Sequence, residues 1–248
     1  MITSQISLAD HKEKILTALQ KGDLTVTGQF MESSNYTFLC QVKYPELEFQ
    51  AVYKPQKGET PLWDFPEGTL CKREVAAYLL SENLGWDLVP PTVFRRKAPL
   101  GRGALQIFVD HDPNQHYFSF DEKIHQRLKP VVLFDLILNN ADRKGGHILL
   151  DESNHLWLID HGTTFHTEFK LRSVVWEFAG QEIPDHLLSD IQRLDQDLVN
   201  KANLIKGLHQ FLSESELHAL QTRVHILLQL RTFPFPDKNR RVIPWPPL

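Results

Sequence analysis

A chain of 248 residues with 42% hydrophobic, 23% charged and 10% aromatic residues carries enough apolar material for a sizeable core, which excludes the disordered and fibrous classes. Its 27 Lys+Arg against 31 Asp+Glu leave a formal net charge of -4, so the bulk field attracts neither a phosphate backbone nor an anionic lipid surface, and nucleic acid is not an expected partner. No stretch approaches the roughly 18 uninterrupted apolar residues of a membrane helix, and the only cysteines, Cys40 and Cys71, lack metal-ligand spacing, so stable membrane insertion and a disulfide framework are both excluded.

The opening segment MITSQISLADHKEKILTALQKG is amphipathic with charges inside it, unlike a signal peptide, and a cytoplasmic, bacterial habit is expected. Leu8, Ile15 and Leu19 predict a leading helix over 8–21, closed by Gly22. The period then changes to β: LTVTGQF, NYTFLCQVKY and ELEFQAVYK read as an antiparallel meander. After a loop rich in Pro and Gly, KREVAAYLLSENLG predicts an amphipathic helix ending at Gly85, and PPTVFRR and GALQIFVD predict two more strands. Beyond Asp110 the pattern turns helical. LKPVVLFDLILNN reads as a buried helix, HILLD and HLWLID as a hairpin around Glu152-Ser153-Asn154, and Pro184 and the capping box Ser213-x-x-Glu216 open two later helices. The tail FPFPDKNRRVIPWPPL is too rich in proline for regular structure. The expected organisation is a β-rich N-terminal lobe over 1–109 and a helical C-terminal lobe over 110–248, hinged near Val109 to Pro113.

Polar residues placed where an apolar element stops mark the candidate chemistry. Asn140-x-Asp142-Arg143 follows the buried helix, and Ile159-Asp160-His161-Gly162 ends the hairpin. The intervening loop and hairpin return both carboxylates to one end, where they repel unless a proton or a divalent cation such as Mg²⁺ stands between them. Lys54, at the end of the third β run, can hold a phosphate as a point charge, with Glu74 in the first turn of the next helix as its partner. The turn GQFMESSN offers Ser33, Ser34 and backbone N–H groups to an anion.

Loop, Lys, Glu, hinge, Asp and second Asp, in that order, are the parts of metal-assisted phosphoryl transfer on a two-lobed scaffold. The segments AVYKPQKGETPLWDFPEGTL, KREVAAYLLSENLGWDLVPPTV, LFDLILNNADRKGGHILL and WLIDHGTTFH resemble the atypical kinases grouped around phosphatidylinositol 3-/4-kinases, HipA-type kinases and Golgi casein kinases, and more closely a bacterial phosphatidylinositol 3-/4-kinase-related family. The resemblance spans about residues 25–180. It implies an α+β, two-lobed protein-kinase-like fold that binds ATP with Mg²⁺ or Mn²⁺. It further implies that Ser33, Ser34 and Asn35 form the phosphate loop and that Lys54, paired with Glu74, holds the α- and β-phosphates. Asp142 would then orient or deprotonate the acceptor, Asp160 would bind metal, and Gln106 to Asp110, Phe108 included, would read adenine through backbone groups.

The chain departs from the pattern five residues after Asp142, where His147 stands in place of a metal-binding Asn; imidazole suits Mn²⁺ or Zn²⁺ better than a carboxamide does. Lys144 stands where lipid kinases carry a catalytic-loop histidine and is expected to stabilise the transferring phosphoryl. A zinc hydrolase built on His147, His155, His161 and His166 is not expected, since their spacing supplies no third ligand. Trp63, Trp157 and Trp176 are expected to pack in the core or between lobes, and the basic runs at 95–97 and 238–241 to be solvated. The expected activity is ATP-dependent phosphotransfer to a protein hydroxyl or small metabolite rather than a lipid. A pseudokinase interaction module and an AMP transferase on the same scaffold are the alternatives.

Overall fold

The structure, a computed structural model, describes residues 8–31, 35–200 and 203–248. In the front half, helix α1 (Leu8–Lys21) precedes strands β1 (Asp23–Phe30), β2 (Thr37–Tyr44) and β3 (Leu47–Pro55); helix α2 (Leu70–Leu84), β4 (Thr92–Arg95) and β5 (Gly103–Ile107) follow. The five strands form one antiparallel sheet in the order β1-β2-β3-β5-β4. Strand alternation decides what each face meets. Cys40, Val42, Phe49, Ala51, Tyr53, Leu105 and Ile107 face Ile15, Ala18 and Leu19 of α1, closing a small core on the outer side. Ala104, on the opposite face, meets Cys71 and Val75 of α2. Lys54 alternates with Tyr53 and therefore also points to the α2 side, and its register with Ala104 brings Gly103 beside it. A Cβ at Gly103 would collide with the Lys54 carbonyl oxygen, so the close approach of β5 at this point requires glycine.

Helix α2 starts two residues earlier than its sequence pattern predicts, so Glu74 lies in its second turn rather than its first. It is also less amphipathic than expected, because it is covered on two sides: its N-terminal part packs on the sheet, while Ala76, Ala77, Leu80 and Leu84 belong to the large core of the back half. Gly85 ends it in the left-handed conformation (φ 70°) as anticipated.

The back half contains α3 (Glu122–His125), α4 (Lys129–Leu138), the hairpin β6 (Ile148–Leu150) and β7 (Leu156–Leu158), α5 (Asp185–Val199), α6 (Asn203–Leu208) and α7 (Glu214–Leu230). Helix α4 is buried from Val131 to Leu138, as its run of apolar residues demands. The hairpin turn is tied by Asp151, whose carboxylate accepts from the N–H groups of Ser153 and His155 and from the Trp157 indole at 2.8–2.9 Å. The capping box Ser213/Glu216 opens α7 as read from sequence. The tail forms no helix or strand; it runs along residues 169–182, and its Pro247 carbonyl accepts from Gly145 N–H at 2.7 Å. No helix among the described residues is long and apolar enough to cross a membrane.

Trp63 corrects the expectation for the tryptophans. Trp157 is buried and Trp176 packs against the core, but Trp63 is 93% exposed, on the loop before α2, with the Lys170 ammonium 5.1 Å from its ring centroid. A flat ring over a cation keeps a defined position without burial.

Candidate active site

Lys54, Glu74 and Asp160 come from β3, α2 and the end of β7. The Lys54 ammonium lies in contact with Glu74 and 2.9 Å from Asp160 Oδ1. Glu74 is 97% buried, and its second oxygen accepts from His161 N–H at 3.0 Å, so both carboxylate oxygens are occupied. Burial alone would lower the Lys54 pKa, but Asp160 and Glu74 hold it above its ordinary value. Lys54 in turn holds Asp160 well below the usual carboxylate range. One ammonium between two carboxylates leaves a net negative charge at the mouth of the site, and Asp160, half-exposed, carries it. Asp160 also adopts a left-handed backbone (φ 60°), a strained geometry for a non-glycine residue that re-aims its side chain at the strand end.

The loop after α4 is built on a buried ion pair. Asp135, inside the apolar helix, accepts from Arg143 Nε at 2.9 Å and from Nη2 at 3.0 Å, and from Asn140 Nδ2 at 2.9 Å. Arg143 is fully buried and spends its remaining N–H groups on the carbonyls of His147 (3.1 Å) and Ile159 (2.9 Å) and on His161 Nε2 (2.9 Å). A single guanidinium thus joins α4, the loop and the Asp160 strand end. Asn140 Oδ1 accepts from Asp142 N–H at 3.0 Å and sets that residue's backbone. Asp142 remains partly exposed; burial raises its pKa to about 6 despite Lys144, whose Nζ lies 3.9 Å away.

His147 connects the two aspartates. Its Nδ1 lies 3.1 Å from the Asp142 carbonyl, which can only accept, so Nδ1 carries the hydrogen. Burial, with Arg143 and Lys54 adding to it, depresses the imidazole pKa to about 4, so the ring is neutral and Nε2 keeps a free lone pair. That lone pair faces Asp160 Oδ2 at 3.4 Å. Two acceptors held face to face repel unless a cation joins them, and the pair fits a divalent ion that takes two protein ligands and completes its shell with water and phosphate oxygens. No preformed cage of three or more His, Cys, Asp or Glu exists among the described residues.

Of the other residues singled out by sequence, Ser33 and Ser34 lie outside the described residues. Asn35 Oδ1 accepts from Thr60 N–H at 2.7 Å, tying the β1–β2 turn to the loop before α2. Gln106 Nε2 donates to Thr92 Oγ1 at 2.8 Å. The N–H groups of Ile107 and Phe108 are spent on Pro91 and Gln50 carbonyls. Directly beyond, Val109 packs with Leu149 and Trp157, with Ile159 alongside, as an apolar shelf below the crossing segment. The remaining histidines of the sequence cluster are committed elsewhere: His155 Nε2 to the Asp87 carbonyl (2.8 Å) and His166 Nε2 to that of Asp64 (2.9 Å).

The sequence by itself gives no role to Arg143, Asp135 or His161. Asp135 has a legible signal, a carboxylate within an otherwise apolar helix, which demands a buried cation. Arg143 and His161 have none beyond adjacency to Asp142 and Asp160.

A family model described as "Phosphatidylinositol 3- and 4-kinase" matches residues 69–216. Protein Rv2133c of Mycobacterium tuberculosis is 37% identical over 97% of each chain. Phosphatidylinositol 4-kinase gamma 4 of Oryza sativa is 33% identical over 46% of this chain and 23% of its own length. The protein of the same name from Arabidopsis thaliana is 34% identical over 46% of this chain and 24% of its own. Among solved structures, the Helicobacter pylori proinflammatory kinase CtkA superposes with a TM-score of 0.50 over 87% of this chain and 94% of that one, at 13% identity, a likeness of fold.

Proposed function

Because this chain belongs to the phosphatidylinositol 3- and 4-kinase family, we propose that it is a metal-dependent kinase that moves the γ-phosphoryl of ATP to a hydroxyl of a protein or a small metabolite. The observation that carries this reading is the Lys54 ammonium shared by Glu74 and Asp160 at the junction of sheet and hairpin, with Asp142 and His147 beside it. Lys54 binds the α- and β-phosphate oxygens, and Glu74 steers it. Asp160 Oδ2 and His147 Nε2 would hold Mg²⁺ or Mn²⁺, which would supply positive charge against the phosphates. Asp142 orients the acceptor hydroxyl and takes its proton as the new P–O bond forms and the bond to the β-phosphate breaks, releasing ADP. Lys144 lies beside Asp142 and stabilises the charge of the transferring group. The Val109–Leu149–Trp157 shelf near Gln106 and Phe108 would take the adenine, read by the N–H groups of Val109 and Asp110 because the N–H groups of 107 and 108 are already used. A protein or small-molecule acceptor is favoured over a lipid surface by the net charge of -4.

Calorimetric titration of ATP into the protein with Mg²⁺, with Mn²⁺ and with EDTA, beside a Lys54→Met control, tests the reading. Metal-dependent binding that the control loses is expected, with ADP as the product of turnover. Pyrophosphate in place of ADP would make the protein an AMP transferase, and no binding under any condition would make it an interaction module.

A further inference from the structure

On the outer side of α2, helices α1, α2 and α6 and strand β4 surround an open cavity of about 580 Å³ that shares no wall residue with the site around Lys54. Its body is apolar: Leu16 of α1, Val75 and Leu79 of α2, Val93 and Phe94 of β4, and Phe211 just past α6. Its charged wall residues among the described residues are of one sign, Lys21, Lys72 and Arg96, with no Asp or Glu.

The three cations gather at one end. The last turn of α1 meets the end of β4, where Gln20 Nε2 reaches the Phe94 carbonyl at 3.4 Å and Arg95 Nη1 the Leu19 carbonyl at 3.1 Å. Phe94 in turn packs against Cys71 and Val75 in the first turns of α2. Lys21, Arg96 and Lys72 therefore lie around the same mouth, while Leu16, Leu79 and Val93 lie deeper along the elements. A volume of this size suits a small organic ligand, and like charges collected over an apolar groove attract an anion with an apolar body.

We propose that this cavity binds an amphiphile with an anionic head and a medium-length alkyl chain, the head against Lys21, Lys72 and Arg96 and the chain along Leu16, Val75, Leu79 and Phe211. Lys72, Val75 and Leu79 belong to the helix that carries Glu74, so the occupant braces the element that sets the Lys54 pair. That consequence rests on the kinase reading; the binding itself does not.

The test is calorimetric titration of decanoate, below its micelle concentration, into the full chain. Decyltrimethylammonium and the neutral peptide acetyl-Phe-Phe-amide serve as comparisons. Two variants accompany the wild type: Lys72→Gln with Arg96→Gln, and Gly207→Leu, whose Cβ would start 3.4 Å from Leu79 Cδ1 and grow into the cavity. Saturable decanoate binding, weakened about tenfold or more in both variants and absent for the cation, is expected. Equal binding of the cationic amphiphile, tighter binding of the peptide, indifference to both variants, or no saturable binding overturns the proposal. ATP titrated into the same preparation separates the two readings: retained ATP binding without decanoate binding removes only the cavity, and the reverse removes only the kinase.

Discussion

Lys54 has two carboxylate partners, and the difference between them is what gives each residue a separate task. Glu74 is buried with one oxygen on Lys54 and the other on the His161 N–H, so neither is left for a cation; Asp160 is half-exposed and keeps Oδ2 for a cation beside His147 Nε2. Asp160→Ala is accordingly expected to abolish metal-dependent nucleotide binding, whereas Asp142→Asn retains binding and loses turnover. Equal loss of both activities in both variants would contradict this division. Burial favours the neutral acid of Asp142 and raises its pKa to about 6, while the base must be ionised to accept a proton. Turnover should therefore rise with pH through about 6, and a profile flat across that range would exclude Asp142 as the base. Lys54, Glu74, Asp142 and Asp160 are legible in the sequence because each stands near an element end that faces a cleft. The lone pair left on His147 was not, because it depends on a hydrogen bond to a carbonyl.

Helix α4 and its loop work as one element through Asp135 and Arg143. Both are essentially fully buried, at 1% and 0% exposure, so removing either partner leaves a charge without compensation. Arg143→Met or Asp135→Asn is expected to cost about 3–5 kcal/mol in urea unfolding, and the double change to apolar residues less than the sum. A loss under about 1 kcal/mol for Arg143→Met would show that the guanidinium is not what holds the loop. The sequence announces the helix through its apolar run and the loop through N-A-D-R. It does not announce that Arg143 turns inward to join His147, Ile159 and His161, since the last two are brought to it only by the β6–β7 hairpin.

At the scale of the molecule, two cores meet across α2, and Arg73 ties that helix to the back half. Its guanidinium donates to the Thr164 carbonyl at 2.5 Å and pairs with Glu216, the capping residue of α7. Burial pushes the Glu216 pKa up, but Arg73 and the Ser213 hydrogen bonds outweigh it and hold the group below its ordinary value. A depressed carboxylate stabilises the fold above its unfolded value of about 4.3, and that contribution is lost as pH falls through the folded value. Wild type should thus melt above Glu216→Gln at neutral pH, with the gap narrowing as pH falls below the unfolded value of about 4.3, as thermal unfolding across that range would reveal. A gap unchanged by acid would mean that the pair contributes packing rather than charge.

The sequence by itself determined the element order, the antiparallel meander, the buried α4, the capped α7 and the positions of Lys54, Glu74, Asp142 and Asp160. Periodicity, turn chemistry and capping act over a few residues and are written locally. Tertiary structure alone decided that α2 is covered on two sides and that Trp63 stays in solvent on a lysine. It alone decided that Arg143 is the hub of the loop and that three cations line one cavity beside the edge strand β4. Each of these depends on partners from distant parts of the chain, and burial and electrostatic environment are properties of that assembly rather than of any local run of residues.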